Sequence, residues 1–227
     1  MNLSTIQTLL NTRYRKIVFT ILSLMYLVGF IGLMIPLTRE YFKLLSPFNL
    51  WISLILLLFF QQDFQLKFIL FTIITFLIGF FVEVLGVHTG IIFGQYYYGK
   101  TLGIQLFDVP IVIGANWFIL VYSSGHIIEK LFKDLNPFFG RNILLSALAA
   151  SLMVCLDLII EPVAIRLDFW QWNFNKIPIQ NYVGWFIISF GLQYYFISSK
   201  FLKNNALAPL LFCLQFIFFL LHSIFST

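Results

Sequence analysis

Three carboxylic acids stand within stretches that are otherwise apolar: Glu83 in GFFVEVLG, and Asp157 and Glu161 in CLDLIIEP. An acid inside an apolar membrane span is costly and marks a functional site by default. Asp157 and Glu161 are four residues apart, which on a helix sets them on one face, where they could share a proton. Because Glu161 precedes Pro162, the alternative for it is a helix exit from which the acid snorkels to water. Asp108, ahead of Val109 and Pro110, opens another apolar run.

Aromatic and amide side chains gather near these acids. Tyr96 and Tyr98 follow Glu83 in GQYYYGKTLG, Asn116 and Trp117 come next, and EPVAIRLDFWQWNFNKIPIQNYVGW carries Trp170, Trp172, Asn181 and Trp185. Tyr and Trp also collect at membrane interfaces on physical grounds alone, and an aromatic belt would account for Tyr96 to Tyr98, Trp170 and Trp172. Trp117 fits a belt less well. At a rise of 1.5 Å per residue it lies roughly 10 Å along its helix from Pro110, and with Asn116 beside it reads as a pocket wall. Gly86, Gly90 and Gly94, four residues apart, predict a smooth helix face that lets a neighbour pack closely.

Other chemistries lack their residues. His88, His126 and His222 form no H-x-x-x-H pattern, so no metal site is expected; His126 and His222 read as a helix-end and a near-terminal residue, while His88 lies five residues after Glu83. There is no phosphate-binding loop and no dinucleotide fingerprint, so no nucleotide or redox cofactor is implied. Cys155 and Cys213 fall inside apolar runs and read as small hydrophobes.

The elements that must hold these residues are membrane helices. Of 227 residues, 60% are hydrophobic and 10% charged, with a mean hydropathy of +0.94, whereas a soluble domain carries about 25% charged residues. Apolar runs at Ile17–Ile35, Phe48–Phe60, Leu66–Val87, Val109–Ile128, Asn142–Glu161, Tyr182–Ser198 and Ala206–Phe225 predict an all-α polytopic bundle of about seven transmembrane helices. The second run is short for a crossing; read as an interfacial or tilted segment, it leaves six. The first follows Arg13, Arg15 and Lys16 as a signal peptide would, but it is too long and lacks a small-residue cleavage site, so it is expected to stay as a helix.

Antiparallel connectivity puts the ends of spans three and five, and the starts of four and six, on one membrane face, which groups the acids. The N-terminus and alternate loops carry nine Lys and Arg against five on the other side. That bias predicts a cytoplasmic N-terminus and an outer C-terminus; the membrane expected to hold the chain is a bacterial inner membrane. The net charge of +5 is scattered, which argues against nucleic acid as a partner. With no linker or repeat, residues 1–227 read as one integral membrane domain, with a functional segment at about 79–188.

Two segments, EVLGVHTGIIFGQYYYGKTLGIQLFDVPIVIGANW and DLIIEPVAIRLDFWQWNFNKIPIQNYVGWF, resemble the membrane carotenoid 1,2-hydratases, the group of the gamma-carotene and bisanhydrobacterioruberin hydratases. The likeness covers the central half of the chain. Its first pattern is matched by Glu83, Gly86, Gly90, Phe93, Gly94, Tyr96, Tyr98, Leu102, Gly103, Val109, Pro110 and Trp117. The second is matched by Asp157, Pro162, Trp170, Trp172, Pro178, Asn181, Gly184 and Trp185. Asp108 stands where the pattern has glycine, and Ile177 where it has valine, with no glycine before it.

The resemblance implies a carbon–oxygen lyase of the hydro-lyase type, adding water across the terminal C1=C2 double bond of an acyclic carotenoid end group of the gamma-carotene or lycopene type. Protonation at C2 would give a tertiary cation that water captures as a C1 alcohol. Such a route needs a carboxylic acid held protonated, which burial favours, and aromatic faces for a cation. On this reading Asp157 donates the proton, and Glu83 is its partner or the base that orients water, with the two roles open to exchange and Glu161 beside them. Trp117, Trp170, Trp172 and Trp185 would wall the pocket with Tyr98, while Asn116, Asn181 and Tyr96 hold water. The partners implied are a membrane-embedded carotenoid, the bilayer and other enzymes of the pathway. Two other classes fit the residues alone: a small proton-coupled transporter, which the lack of a repeat disfavours, and a non-catalytic scaffold of a pigment pathway.

Overall fold

The computed structural model describes residues 3–62, 64–173 and 176–225, with side chains from residue 13 onward. Among these the chain forms seven helices, α1 (Leu3–Met34), α2 (Pro36–Phe59), α3 (Leu66–Thr89), α4 (Val112–Leu131), α5 (Arg141–Arg166), α6 (Ile179–Ser198) and α7 (Leu207–Phe225). Four short strands, β1 (Tyr96–Tyr98), β2 (Gln105–Leu106), β3 (Val109–Pro110) and β4 (Trp170–Trp172), lie in the α3–α4 and α5–α6 connections, a feature an all-α reading omits.

Five helices are long and apolar enough to cross a membrane: α1 from Arg13, α2, α3, α5 and α7. The 24-residue α2 is nearly twice the apolar run seen in the sequence. Arg39, Glu40 and Lys43 had hidden its first half; Lys43 pairs with Glu40 at 3.0 Å on successive turns, and the Arg39 Nε–H donates to Leu33 O. One extended residue, Ile35, turns the chain, and Pro36 opens α2 where its missing N–H costs nothing.

The other two helices, α4 and α6, fall short of that hydropathy, and for α4 the packing supplies a physical reason. α4 packs against α2, α3, α5, α6 and α7, and Ala115, Phe118, Ile119, Leu120, Val121 and Tyr122 are fully buried. A helix sheathed in protein can carry Asn116, Ser123, Ser124 and His126 without exposing them to hydrocarbon. Around it Phe68, Phe71, Phe118, Phe196 and Phe201 interlock, Phe71 at tilted angles and the others edge to face.

The two loops on the other face are tied to each other. β1 pairs with β4 antiparallel, with Tyr96 opposite Trp172 and Tyr98 opposite Trp170. β2 and β3 form a two-residue hairpin whose tip, Phe107 and Asp108, has positive φ at both positions. The glycine spacing of the sequence does not make a helix face: Gly86 is helical, but Gly90 ends α3 in a left-handed conformation (φ 67°), and Gly94 (φ 106°) lies in the loop beyond.

Candidate active site

Glu83 points from α3 into the bundle and is 4% exposed. One turn earlier, Gly79 has no side chain, and α4 lies so close that a Cβ there would come within 2.3 Å of Trp117 Cβ. That approach brings the Trp117 Nε1–H to Glu83 Oε1 at 2.9 Å. The alternation of a strand does the rest. Tyr97 points outward, 55% exposed, so Tyr96 and Tyr98 point inward and their hydroxyls donate to Glu83 Oε2 at 2.5 and 2.8 Å. Both phenols lie outside the helices and hold their protons well above the ordinary tyrosine range, first because they are buried and then because of the negative charge of Glu83.

β4 serves the second acid in the same manner. Trp170 and Trp172 donate their indole N–H groups to Glu161 Oε2 at 3.1 and 2.7 Å. Glu161 is not a helix exit, since α5 runs through Pro162 to Arg166 and the acid is 1% exposed. One turn earlier Asp157 is equally buried. A single amide links the two, because Asn181 Nδ2 donates to Asp157 Oδ2 at 2.8 Å and to Glu161 Oε1 at 3.2 Å.

The three acids therefore differ in their hydrogen bonds. Glu83 and Glu161 each accept three. Asp157 accepts one, and its buried Oδ1 has no partner among the described residues. A carboxylate only accepts, whereas a protonated carboxyl donates one O–H. Asp157 has the geometry to carry a proton, and Glu83, surrounded by donors, the geometry of an anion.

These groups enclose a cavity of about 30 Å³ walled by all eleven candidate residues, Glu83, Asp157, Glu161, Tyr96, Tyr98, Asn116, Trp117, Trp170, Trp172, Asn181 and Trp185, together with Phe93, Ile113 and Ile160. The space is that of about one water in the liquid. Trp117 and Trp185 stack beside it, 4.4 Å between centroids and 16° between planes. Asp108 and His88 are elsewhere: both exposed, they face each other at 3.6 Å, and His88 Nε2 lies 3.3 Å from Phe107 O, which ties the hairpin to the end of α3. Among the described residues no group of three or more His, Cys, Asp or Glu could hold a metal ion. Ile113 and Ile160 carried no signal in the sequence, since nothing separates them from other apolar residues of a membrane helix.

A family model described as carotenoid biosynthesis protein matches residues 42–226. The chain belongs to this family. Over 111 residues it is 34% identical to bisanhydrobacterioruberin hydratase of Haloarcula japonica, an alignment that takes in 47% of this chain and 36% of that protein. The chain thus matches about a third of the relative's length. No solved structure matches it. This carotenoid-biosynthesis protein, with five helices fit to cross a bilayer, is a membrane protein, and its matched region contains every residue of the cavity.

Proposed function

We propose that this carotenoid-biosynthesis protein hydrates the terminal C1=C2 double bond of an acyclic carotenoid end group, of the gamma-carotene or lycopene type. The observation that carries the reading is the unequal bonding of three buried acids around a water-sized, indole-walled cavity. Asp157 gives the proton of its carboxyl group to C2, and the π electrons form the new C–H bond. The cation left on C1 lies against aromatic faces, of which the stacked Trp117 and Trp185 are the closest-packed. Water then bonds to C1 and releases a proton to the carboxylates, and once that proton is back on Asp157 the cycle closes with no net change. Glu83 Oε1 accepts only the Trp117 indole, which leaves it a lone pair for the attacking water. Glu161 holds Trp170, Trp172 and, through Asn181, the geometry of Asp157.

The cavity fits the water and not the end group, so the substrate must part the wall on entry. On this reading all seven helices cross, α4 as a sheathed span and α6 with an outward face at Val183, Phe186, Ile187 and Tyr194, and residues 1–227 form one membrane domain. The bias in loop charge supports a cytoplasmic N-terminus. The test is expression in a bacterium that accumulates lycopene or gamma-carotene. Wild-type cells should form a pigment heavier by one water, and Asp157→Asn should lower its yield by roughly 10²-fold or more, the usual contribution of a general acid. No hydrated pigment from either substrate, with the protein present in the membrane, would sink the reading.

A further inference from the structure

A second and larger cavity, of about 290 Å³, opens between α1, α2 and α7. Its outer lip is apolar and exposed, at Val28, Leu45 and Phe48, so it faces whatever surrounds the bundle. Its inner wall is not wholly apolar. Tyr26 of α1 and Gln215 of α7 line it while being 7% and 3% exposed. The Tyr26 hydroxyl lies beside the Ser53 hydroxyl and the Gln215 amide and interacts with both, but among the described residues the Tyr26 hydroxyl, Gln215 Oε1 and Ser53 Oγ close no hydrogen bond of good geometry. Buried polar groups are nearly always bonded, so unbonded ones on a cavity wall call for an occupant that can both donate and accept.

We propose that this groove is a second binding site, for the hydroxyl-bearing end of a membrane-dissolved polyisoprenoid. An alcohol matches the wall, since its O–H can donate to Gln215 Oε1 while its oxygen accepts from Tyr26. A pure hydrocarbon leaves both unmet. Among the described residues no charged side chain lines the cavity, so a phosphate or carboxylate headgroup meets no counter-ion from them. An apolar cavity with a few convergent polar groups is the usual form of a small-molecule site. Phe169 lines this groove and Trp170, the next residue in the chain, lines the acid cavity. The choice of a polyisoprenoid over a glycerolipid alcohol rests on the proposed reaction; the match to a hydroxyl does not.

The experiment is photolabelling of the full chain in lipid nanodiscs with a diazirine analogue of geranylgeraniol, followed by peptide mapping. Saturable labelling should fall on residues 25–33 and 42–52, and excess geranylgeraniol should compete at least tenfold better than the saturated C20 hydrocarbon or dioleoylglycerol. Tyr26→Phe should erase that preference. Gly29→Leu should abolish labelling by filling the groove, since a Cβ at Gly29 meets only Phe218, at 3.8 Å; gel filtration shows whether each variant is folded. Equal competition by the hydrocarbon, better competition by dioleoylglycerol, or labelling that does not saturate overturns the proposal. Labelling is read without turnover, so a saturable site in a protein that hydrates nothing would overturn the reaction and leave the hydroxyl site standing, and the converse result would do the reverse.

Discussion

The Tyr96 hydroxyl donates to Glu83 Oε2 at 2.5 Å, joining a strand of the α3–α4 loop to the interior of α3. With Tyr98 and Trp117 it completes a set of three donors around one buried carboxylate. A hydrogen bond to a charged group contributes roughly 1.5–3 kcal/mol, so Tyr96→Phe is expected to lower stability by about that amount. Glu83→Gln should cost more, because the new amide turns a donor toward groups that only donate or already do so. Unfolding in detergent of the wild type and both variants gives the order. A Gln variant as stable as the wild type would remove the anionic assignment of Glu83.

Trp117 reaches Glu83 only because position 79 is glycine. A methyl group there would need the space now held by Trp117 Cβ, 2.3 Å away. Gly79→Ala is thus expected to destabilise by about 1–3 kcal/mol, the usual range for overpacking, and to lengthen the indole–carboxylate bond. Trp fluorescence, with Trp117→Phe for assignment, should show the shift, and an unchanged spectrum together with unchanged stability would contradict the close approach.

How far the sequence disclosed this site depends on which physical signal each residue carries. Acids and tryptophans within apolar runs are rare enough to be noticed one by one, so the cavity wall was legible down to Asn116 and Asn181. The helices were legible wherever they meet an apolar surround. α2 was cut short because three charged residues in its first half break a hydropathy window, though not the helix. The pairing of β1 with β4 was not legible, since three-residue strands leave no periodicity, yet it is what turns Tyr96, Tyr98, Trp170 and Trp172 inward together. Gly86, Gly90 and Gly94 misled because glycine marks both close helix packing and left-handed turns, and spacing does not separate the two.

The same inward pair predicts an alkaline limit. Tyr96 and Tyr98 keep their protons well above the ordinary value near 10, by burial first and the charge of Glu83 next. Between that ordinary value and the raised folded one, the unfolded chain binds fewer protons than the folded chain. Stability must then fall as pH rises above about 10, by about 1.4 kcal/mol per pH unit for each phenol held in this way. Replacing both by Phe should flatten that slope at the cost of lower stability at pH 8. Equal slopes for the wild type and the double variant would count against the raised values.

Asp108 stands where the resemblance to carotenoid hydratases leads one to expect glycine, at a place where a side chain has a cost. It sits at φ 60° in the tip of the β2–β3 hairpin, after Phe107 at φ 53°. Two-residue hairpins of this twist favour Gly at the second position, and Asp tolerates it better than most residues. The exposed contact with His88 at 3.6 Å offsets little. Asp108→Gly is therefore expected to leave stability unchanged or raise it by up to about 1 kcal/mol, whereas Asp108→Val should lower it by a similar amount or more. Thermal melts of the two variants decide, and a stabilising valine would refute the strained turn.

Asn181 is the side chain on which the two acids of α5 depend together. Its Nδ2 group donates one hydrogen toward Asp157 Oδ2 and the other toward Glu161 Oε1, which holds the carboxyls apart on one helix face. Without it, two acids four residues apart share a dry site with no donor between them, and the arrangement that relieves this is a proton held directly between their oxygens. That proton is no longer free for transfer. Asn181→Leu should therefore lower the proposed hydration severely while the protein still folds, since an apolar side chain with the same branching and number of non-hydrogen atoms fills the place. Asn181→Gln, which keeps the amide but moves it, should recover part of the loss. If Leu and Gln variants were equally active, Asn181 would be a packing residue, and the separation of the two acids would have to come from the helix alone.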